Sequence, residues 1–304
     1  MLHHDFSYRD CLAASELITW RVEDIIGGSN QLDFTRPFLP ETLARVGPLK
    51  FLSTAEKRIL NQIRAYGYLK TFGLIEEFIV PFMMDRTRGA LQGDTHRMRA
   101  MLQFVAEEAK HIHLFRAFCD QFDRVFRTPC AVIGPPEEIA MAILGHHPLA
   151  VATIILQMEW MTQAHYADSV TDGQDLDPVF TNMLKHHWRE EAQHAKIDTL
   201  MVEAMVRDCD KDEIVMAMTD YIKIARYIDN SLIKQVQFDL NSIERAIGRR
   251  LGECEREIFV KVQQQAVRWT FIGSGLAHPR FLATLEAVSP STRRKVAAIT
   301  PAFS

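Results

Sequence analysis

The sequence predicts an all-α protein built on a four-helix bundle, and three observations carry that prediction. Helical hydrophobic periodicity recurs along most of the 304 residues, while runs of alternating β-branched residues bounded by turns are nearly absent. Two related pentapeptides, EEAKH at 107–111 and EEAQH at 190–194, fall within such helical stretches. Two further helical stretches, apolar in character, each enclose glutamate: GLIEEFIVPF around Glu76-Glu77 and IILQMEWM around Glu159.

The elements follow in order. A helix over 9–26 is stopped by Gly27-Gly28, and a strap punctuated by Pro37, Pro40 and Pro48 wraps the core. Ser53 and Glu56 have the spacing of a capping box and start a long helix that runs to about 85, with Pro81 as a candidate kink. A second helix spans 94–126. Pro129, Gly134, Pro135 and Pro136 mark a loop, followed by a short helix at 137–144. The third long helix runs 148–170 and stops at Asp172-Gly173; the fourth starts at Asp177-Pro178 and reaches 206, with proline in the first turn. Two or three more helices are expected, at roughly 211–228, 230–247 and 252–271, and then a proline-containing tail. The chain reads as a single domain over 1–304: metal-binding bundle at about 53–206, strap at 1–52, additional helices at 207–304.

Composition narrows the function. Hydrophobic residues make up 47% of the chain and the formal net charge is −4, with a mean hydropathy of −0.09. These values, and charge that is mixed along the chain, argue against a nucleic-acid binder or a membrane protein. The most apolar run, 148–158, is too short to span a bilayer, and the N-terminus lacks the pattern of a secretory signal. Five scattered cysteines without a CxxC pair suit reduced thiols in a cytoplasmic protein, so thiolate is not expected as a metal ligand.

The pentapeptides carry the chemistry. Each contains Glu-x-x-His: Glu108 with His111, and Glu191 with His194. Three residues advance a helix by about 300°, which leaves the two side chains about 60° apart on one face, a chelating arrangement of carboxylate and imidazole. A glutamate in an apolar stretch costs several kcal/mol unless it is paired or bound to a cation. Two lone glutamates and two Glu-x-x-His pairs form the ligand pattern of carboxylate-bridged dimetal bundles. The spacing agrees, because Glu76 to Glu108 and Glu159 to Glu191 are both 32 residues. Glu76 and Glu77 are both candidates. The stripe through Glu76 (Ile59, Tyr66, Leu69, Phe72, Val80, Met83) is apolar and the one through Glu77 contains Lys70, which favours Glu76. Glu107 and Glu190 are placed to orient His194 and His111 across the bundle, or else to face solvent. His187, seven residues before His194, falls on the ligand stripe; the alternative is a surface residue beside His186.

These motifs resemble the ferritin-like diiron oxygenase superfamily over roughly 53–206, and most nearly the p-aminobenzoate N-oxygenase family, in which a third histidine joins the site. The resemblance implies a ferritin-like bundle and seven ligands: Glu76, Glu108, His111, Glu159, His187, Glu191 and His194. It implies two iron ions, with a mixed Mn/Fe site also compatible. The expected partners are dioxygen, a small organic substrate such as an arylamine, and an external electron donor, with a homodimer as the default assembly. The expected reaction is N-oxygenation of an (aryl)amine. The same motifs also resemble ribonucleotide-reductase-like ligand-binding oxidases, which lack the third histidine; C–H hydroxylation and non-catalytic iron binding are the further alternatives. Thr162 and Gln163, one turn after Glu159, are expected to line the oxygen and substrate pocket. His165 is expected to face away as a core or surface histidine, Tyr66 and Trp160 to be core aromatics rather than redox groups, and Met83, Met84, Met98 and Met101 to serve packing.

Overall fold

The computed structural model describes residues 4–167 and 175–303, and among them there is helix but no strand. The short helices α1 (Tyr8–Ser15), α2 (Val22–Ile25) and α3 (Glu41–Ala44) punctuate the N-terminal strap. Four long helices follow: α4 (Thr54–Arg88), α5 (Thr95–Phe126), α7 (Pro148–His165) and α8 (Pro178–Asp208), with the short α6 (Pro136–Leu144) between the second and third. Then come α9 (Lys211–Ile247), α10 (Glu253–Arg268), a π-helical segment (Trp269–Gly273), α11 (Ser274–Ala277), α12 (Pro279–Val288) and α13 (Pro290–Ile299).

Local chemistry sets the long helices. At the start of α4 the Ser53 hydroxyl accepts from the Glu56 N–H at 3.3 Å and the Glu56 carboxylate accepts from the Ser53 N–H at 2.7 Å, so two otherwise orphaned donors are satisfied. Asp94 caps α5 through the amides of His96 and Arg97. Asp177 caps α8 through the Phe180 amide at 2.6 Å, and its other carboxylate oxygen accepts from the Asp33 amide at 2.8 Å, tying the strap to the bundle. Pro81 sits inside α4 without ending it.

The pairs α4–α5 and α7–α8 form two helical hairpins, and α5 meets α8 to close the bundle. Burial differs between the helices. Helix α4 is buried at every residue from 60 to 69, and α7 at every residue from 149 to 162. Helices α5 and α8 keep one polar face. The strap lies over α5 and α8, while α9 crosses α4 and α7 on the other side. A fully buried ion pair, Arg64 to Asp239 at 3.2 Å, fastens α9 to α4, and Gln235 satisfies the other Asp239 oxygen. No helix among the described residues is long and apolar enough to cross a membrane.

Several boundaries depart from the sequence reading. The helix expected over 9–26 breaks after Ser15, and the non-helical segment that follows delivers Trp20 onto the bundle. The helices expected at 211–228 and 230–247 are one helix, α9. Its buried stripe of Tyr221, Ile224, Leu232, Val236 and Leu240 runs unbroken past the polar Asp229-Asn230 pair that suggested a stop. The proline-containing tail after 271 is largely helical, and Phe281, Leu285 and Val296 are buried on one face of α12 and α13. The expected end of α7 at Val170 and Asp172-Gly173 lies outside the described residues.

The approach of α11 to α7 is close enough to demand glycine. A Cβ on Gly275 would stand 2.5 Å from the carbonyl oxygen of Gln157 and 2.9 Å from its Cγ. Gln157 cannot yield easily, since it accepts from the Tyr221 hydroxyl at 2.6 Å and its neighbours are buried. Gly275→Ala is expected to lower stability by roughly 1–3 kcal/mol, the usual cost of overpacking. Gly73→Ala, where nothing lies within 4 Å, is expected to be neutral or slightly stabilising. Denaturant midpoints of the two variants check this, and equal effects would remove the steric account of Gly275.

Candidate metal centre

The lone glutamates sit on the two more deeply buried helices, and the Glu-x-x-His pairs sit on the two amphipathic ones. Helix α4 presents Glu76 and α7 presents Glu159, while α5 presents Glu108 with His111 and α8 presents Glu191 with His194. All six are no more than 3% exposed, and His187 on α8 is 1% exposed. Glu77 turns outward, where its carboxylate accepts from Arg116 at 2.7 Å, so α4 brings Glu76 to the interior.

Two groups of ligand-type atoms form, each within 4.8 Å: Glu76, His111, His187 and Glu191, and then Glu108, His111, Glu191 and His194. Glu191 joins the groups through both oxygens. Its Oε1 lies 3.1 Å from His111 Nδ1 and 2.9 Å from His187 Nε2, and its Oε2 lies 3.4 Å from His194 Nδ1. Glu108 is similarly shared, with Oε1 at 2.9 Å from His194 Nδ1 and Oε2 at 4.0 Å from His111 Nδ1. Glu76 Oε1 is 3.2 Å from His187 Nε2. Glu159 falls outside both groups but lies against Glu191.

The interior of this cage suits cations. The inward atoms Glu76 Oε2, both Glu108 oxygens, His111 Nδ1, Glu159 Oε2, Glu191 Oε1 and His194 Nδ1 are buried and have no hydrogen-bond partner. Several approach one another to about the distance of a hydrogen bond without its alignment, because their lone pairs converge on shared points rather than on each other. Unpartnered buried carboxylates are costly, and two divalent cations would offset the charge of four of them. The donor set of carboxylate and imidazole suits iron or manganese.

Proton affinities in the cage point the same way. Burial first, then the neighbouring Glu108, pushes Glu76 up to about 8. Burial and Glu191 hold Glu159 well above the carboxylate range. Burial resists ionisation of Glu191 as well, but His187 and His194 outweigh it and hold it low. For His111 and His194 burial favours the neutral ring, and the facing glutamates overcome it and raise both. The cage therefore holds protons where it lacks metal charge.

The outer side is cross-wired. Glu190, on α8, accepts from His111 Nε2 at 2.8 Å, and Glu107, on α5, accepts from His194 Nε2 at 2.9 Å. Both carboxylates are buried, as the orienting role requires and the solvent-facing alternative does not. These contacts fix the tautomer that turns each Nδ1 lone pair inward. Aromatic rings hold the imidazoles in place: Phe104 stacks on His194 at 3.8 Å, and Phe72 and Phe115 stand edge-on to His187 at 5.5 and 5.1 Å.

Some neighbours were missed in the sequence. Lys110 pairs with Glu190 and its ammonium lies 3.9 Å from the centre of the Trp20 ring, which runs parallel to His111 at 6.1 Å. Nothing in the strap's pattern signals Trp20. Asp198, one turn beyond His194, is wholly buried with both oxygens unpartnered, and burial, with Glu108 and Glu191, holds it well above the carboxylate range against the pull of His194. Its spacing from His194 was the available signal. Thr162 and Gln163, expected near the pocket, spend their polar groups on the backbone. The Thr162 hydroxyl donates to the Met158 carbonyl and the Gln163 amide donates to the Trp188 carbonyl, so backbone acceptors absorb both. His165 is a core residue, between the Tyr68 hydroxyl at 3.3 Å and Ser274 at 3.1 Å, with burial pushing it down to about 4. Trp160 is buried and Tyr66 donates to Asp123, as core aromatics. Met83 and Met101 are fully buried, but Met84 is 57% exposed and packs little.

A cavity of about 210 Å³ lies between α4 and α5, with Leu69, Gly73, Ile112 and Phe115 in its wall and Lys70 and Arg116 among its charged lining residues. Phe115 separates it from His187 by one ring.

The family described as P-aminobenzoate N-oxygenase AurF matches residues 51–268. No curated protein matches the chain. Among solved structures, an R2-like ligand-binding oxidase variant with an aerobically reconstituted Mn/Fe cofactor aligns at 13% identity and a TM-score of 0.48, over 87% of this chain and 93% of that one. A second variant of that oxidase, also with an aerobically reconstituted Mn/Fe cofactor, aligns at 11% identity and a TM-score of 0.49, over 87% of this chain and 94% of that one. The family match spans well over half of the chain, which therefore belongs to the p-aminobenzoate N-oxygenase family and is a diiron oxygenase.

Two outcomes are expected. Because cations must displace protons held by Glu76 and Glu159, Fe(II) or Co(II) affinity should rise as pH increases from about 6 to about 8, with proton release on binding. Calorimetry in buffers of different ionisation enthalpy measures this, and a pH-independent affinity would contradict the proton-loaded cage. Glu107→Gln and Glu190→Gln should each weaken metal binding by about 10- to 100-fold; unchanged affinity in both would deny the orienting role.

Proposed function

We propose that this member of the family oxygenates the nitrogen of a small arylamine, using two irons held by Glu76, Glu108, His111, Glu159, His187, Glu191 and His194. The observation that carries the proposal is the third histidine. His187 faces Glu76 and Glu191 inside the cage rather than solvent, as the resemblance to the N-oxygenase family requires and a two-histidine oxidase site does not. Glu76, His111 and His187 would hold one ion and His194 and Glu159 the other, with Glu108 and Glu191 available to both. Continuity of the buried core from the strap through α12 and α13 supports reading 1–304 as one domain.

Two irons bound here supply the redox chemistry that reduces dioxygen and delivers an oxygen atom to the amine. One dioxygen, two electrons and two protons convert an arylamine to its hydroxylamine and water, so an external electron donor is required. The chain's own residues do the rest. Glu108 and Glu191 each turn both oxygens into the cage and would be able to serve both ions. Glu107 and Glu190 keep the imidazoles oriented. The phenylalanines around His187 exclude water and so strengthen every electrostatic contact inside.

The 210 Å³ cavity is sized for a single-ring substrate. Lys70 lines it with no ion-pair partner among the described residues, its ammonium resting over the Tyr66 ring at 5.3 Å. A carboxylate on the arylamine, as in an aminobenzoate, is the group it would receive, with the amine directed toward Phe115. Five free cysteines suit a reducing, cytoplasmic setting.

The test compares wild type with His187→Ala. Wild type should bind about two irons per chain and convert an aminobenzoate to hydroxylamine or nitro product. His187→Ala should keep at least one metal and lose N-oxygenation by about 100-fold or more. Lys70→Met should raise KM for an aminobenzoate about tenfold and leave the corresponding uncharged aniline unaffected. Less than one metal per chain in wild type after anaerobic Fe(II) loading would overturn the reading, as would full N-oxygenation by His187→Ala.

A further inference from the structure

A second cavity adjoins the one assigned to the organic substrate, with Leu74 and Ile133 lining both, and lies between α4, α6, α7 and α9. Its volume is about 30 Å³, against about 210 Å³ for the first. A void needs roughly 10–15 Å³ on this measure to hold one water-sized sphere. The smaller cavity therefore admits about two such spheres in contact, and no aromatic ring. The surface it presents is apolar throughout. Ser231 is among its lining residues, but its hydroxyl is spent on the Tyr227 carbonyl at 3.0 Å. A water inside would find no partners and is disfavoured there, whereas a small apolar molecule loses nothing on entering.

Position gives this space a role. It reaches outward to Tyr227, 36% exposed, and Ser231 on α9. Its inner wall includes Ile75 and Met158, each the residue immediately before a proposed ligand, Glu76 and Glu159. Consecutive helical side chains diverge by about 100°, so α4 and α7 turn Ile75 and Met158 to the cavity and the glutamates to the cage. Phe271 closes the remaining side. Its ring lies 5.7 Å from that of Phe72, which stands 5.5 Å from His187. Phe271 is held in the π-helical segment Trp269–Gly273, a local widening of the helix common at functional sites. The route from surface to cage is thus apolar, narrow and one side chain short of the ligands.

We propose that this cavity is the entry and holding site for dioxygen, adjoining the cleft that admits the organic substrate. The proposal rests on the dioxygen chemistry assigned to the cage, but the cavity can be probed without it. Xenon, apolar and of similar size, reports the site in the metal-free protein. Under xenon pressure, one atom should be found between Ile75, Phe78 and Met158 by crystallography. Ile143→Phe, which fills the cavity from α6, should abolish that site. Ser231→Phe, at the half-buried mouth, should hinder access with little risk to folding.

The kinetic arm uses the iron-loaded, anaerobically reduced protein mixed with dissolved dioxygen. Both variants should bind iron as wild type does and lower the bimolecular rate constant for reoxidation about five- to tenfold, with KM for the arylamine unchanged. No xenon between these side chains in wild type overturns the proposal. So does reoxidation at the wild-type rate in both variants, which would leave the space as a packing void. If reduced wild type itself does not react with dioxygen, it is the reading of the cage as an oxygenase that fails, and the xenon result stands apart from it.

Discussion

Four carboxylates and three imidazoles share a space from which water is excluded, and almost every feature of the molecule follows from making that tolerable. An ionised carboxylate in such surroundings costs several kcal/mol unless compensated. Here Glu108 makes no hydrogen bond with either oxygen, although it is completely buried. Protons offset part of the charge in the absence of metal, as the elevated proton affinities of Glu76 and Glu159 record. Divalent cations offset it better, because one ion serves several lone pairs at once. The cage is thus complete as a set of donors and incomplete as a set of charges.

The helices are arranged to impose this. A bundle whose four helices were equally amphipathic would leave each face partly wet. Instead α7 is buried around its full circumference over 149–162 and α4 over 60–69, which takes additional layers: the strap over α5 and α8, and α9 across α4 and α7. The outer layers are fastened with specific polar contacts, Asp177 to the strap and Arg64 to Asp239 on α9. The C-terminal helices therefore belong to the chemistry indirectly. They keep Glu76 and Glu159 dry, and α9 and the π-helical segment wall the smaller cavity.

Much of this was legible in the sequence, for a physical reason. Helical spacing converts directly into shared faces, so Glu-x-x-His at 108–111 and 191–194 announced two chelating pairs, and the matched interval of 32 residues announced two hairpins of equal reach. Glu76 was separable from Glu77 because burial selects the apolar stripe. Even the crossed pairs Glu107–His194 and Glu190–His111 could be anticipated from position. What was not legible depends on long-range packing. The break after Ser15 serves to place Trp20 against Lys110 and His111, partners about 90 residues away in sequence. Asp229-Asn230 looks like a helix stop locally, yet α9 continues because its apolar stripe is continuous and Asp229 gains Arg268 at 2.7 Å. Thr162 and Gln163 lie at the right height but spend their polar groups on backbone carbonyls, a choice that spacing cannot reveal.

The crossed buttressing has a consequence for how the two metal positions relate. Each proposed ligand histidine on α5 or α8 in a Glu-x-x-His pair is oriented by a glutamate from the other helix, so α5 and α8 cannot slide past one another without misaligning both imidazoles together. The frame is thus symmetric, but its surroundings are not. Glu190 is backed by Lys110 and the Trp20 ring near the surface, whereas Glu107 is backed by the neutral Gln103 amide at 2.9 Å. His187 adds a nitrogen donor beside His111 and Glu76, with no counterpart beside His194. By the proposed assignment each position would have three carboxylates, and the one at His187 would have two imidazoles where the one at His194 has one. A neutral donor stabilises the lower charge on a bound cation and carboxylates stabilise the higher one. A duplicated hairpin is thus rendered unequal by one histidine and one lysine, and cations held at the two proposed positions would differ in how readily each releases an electron.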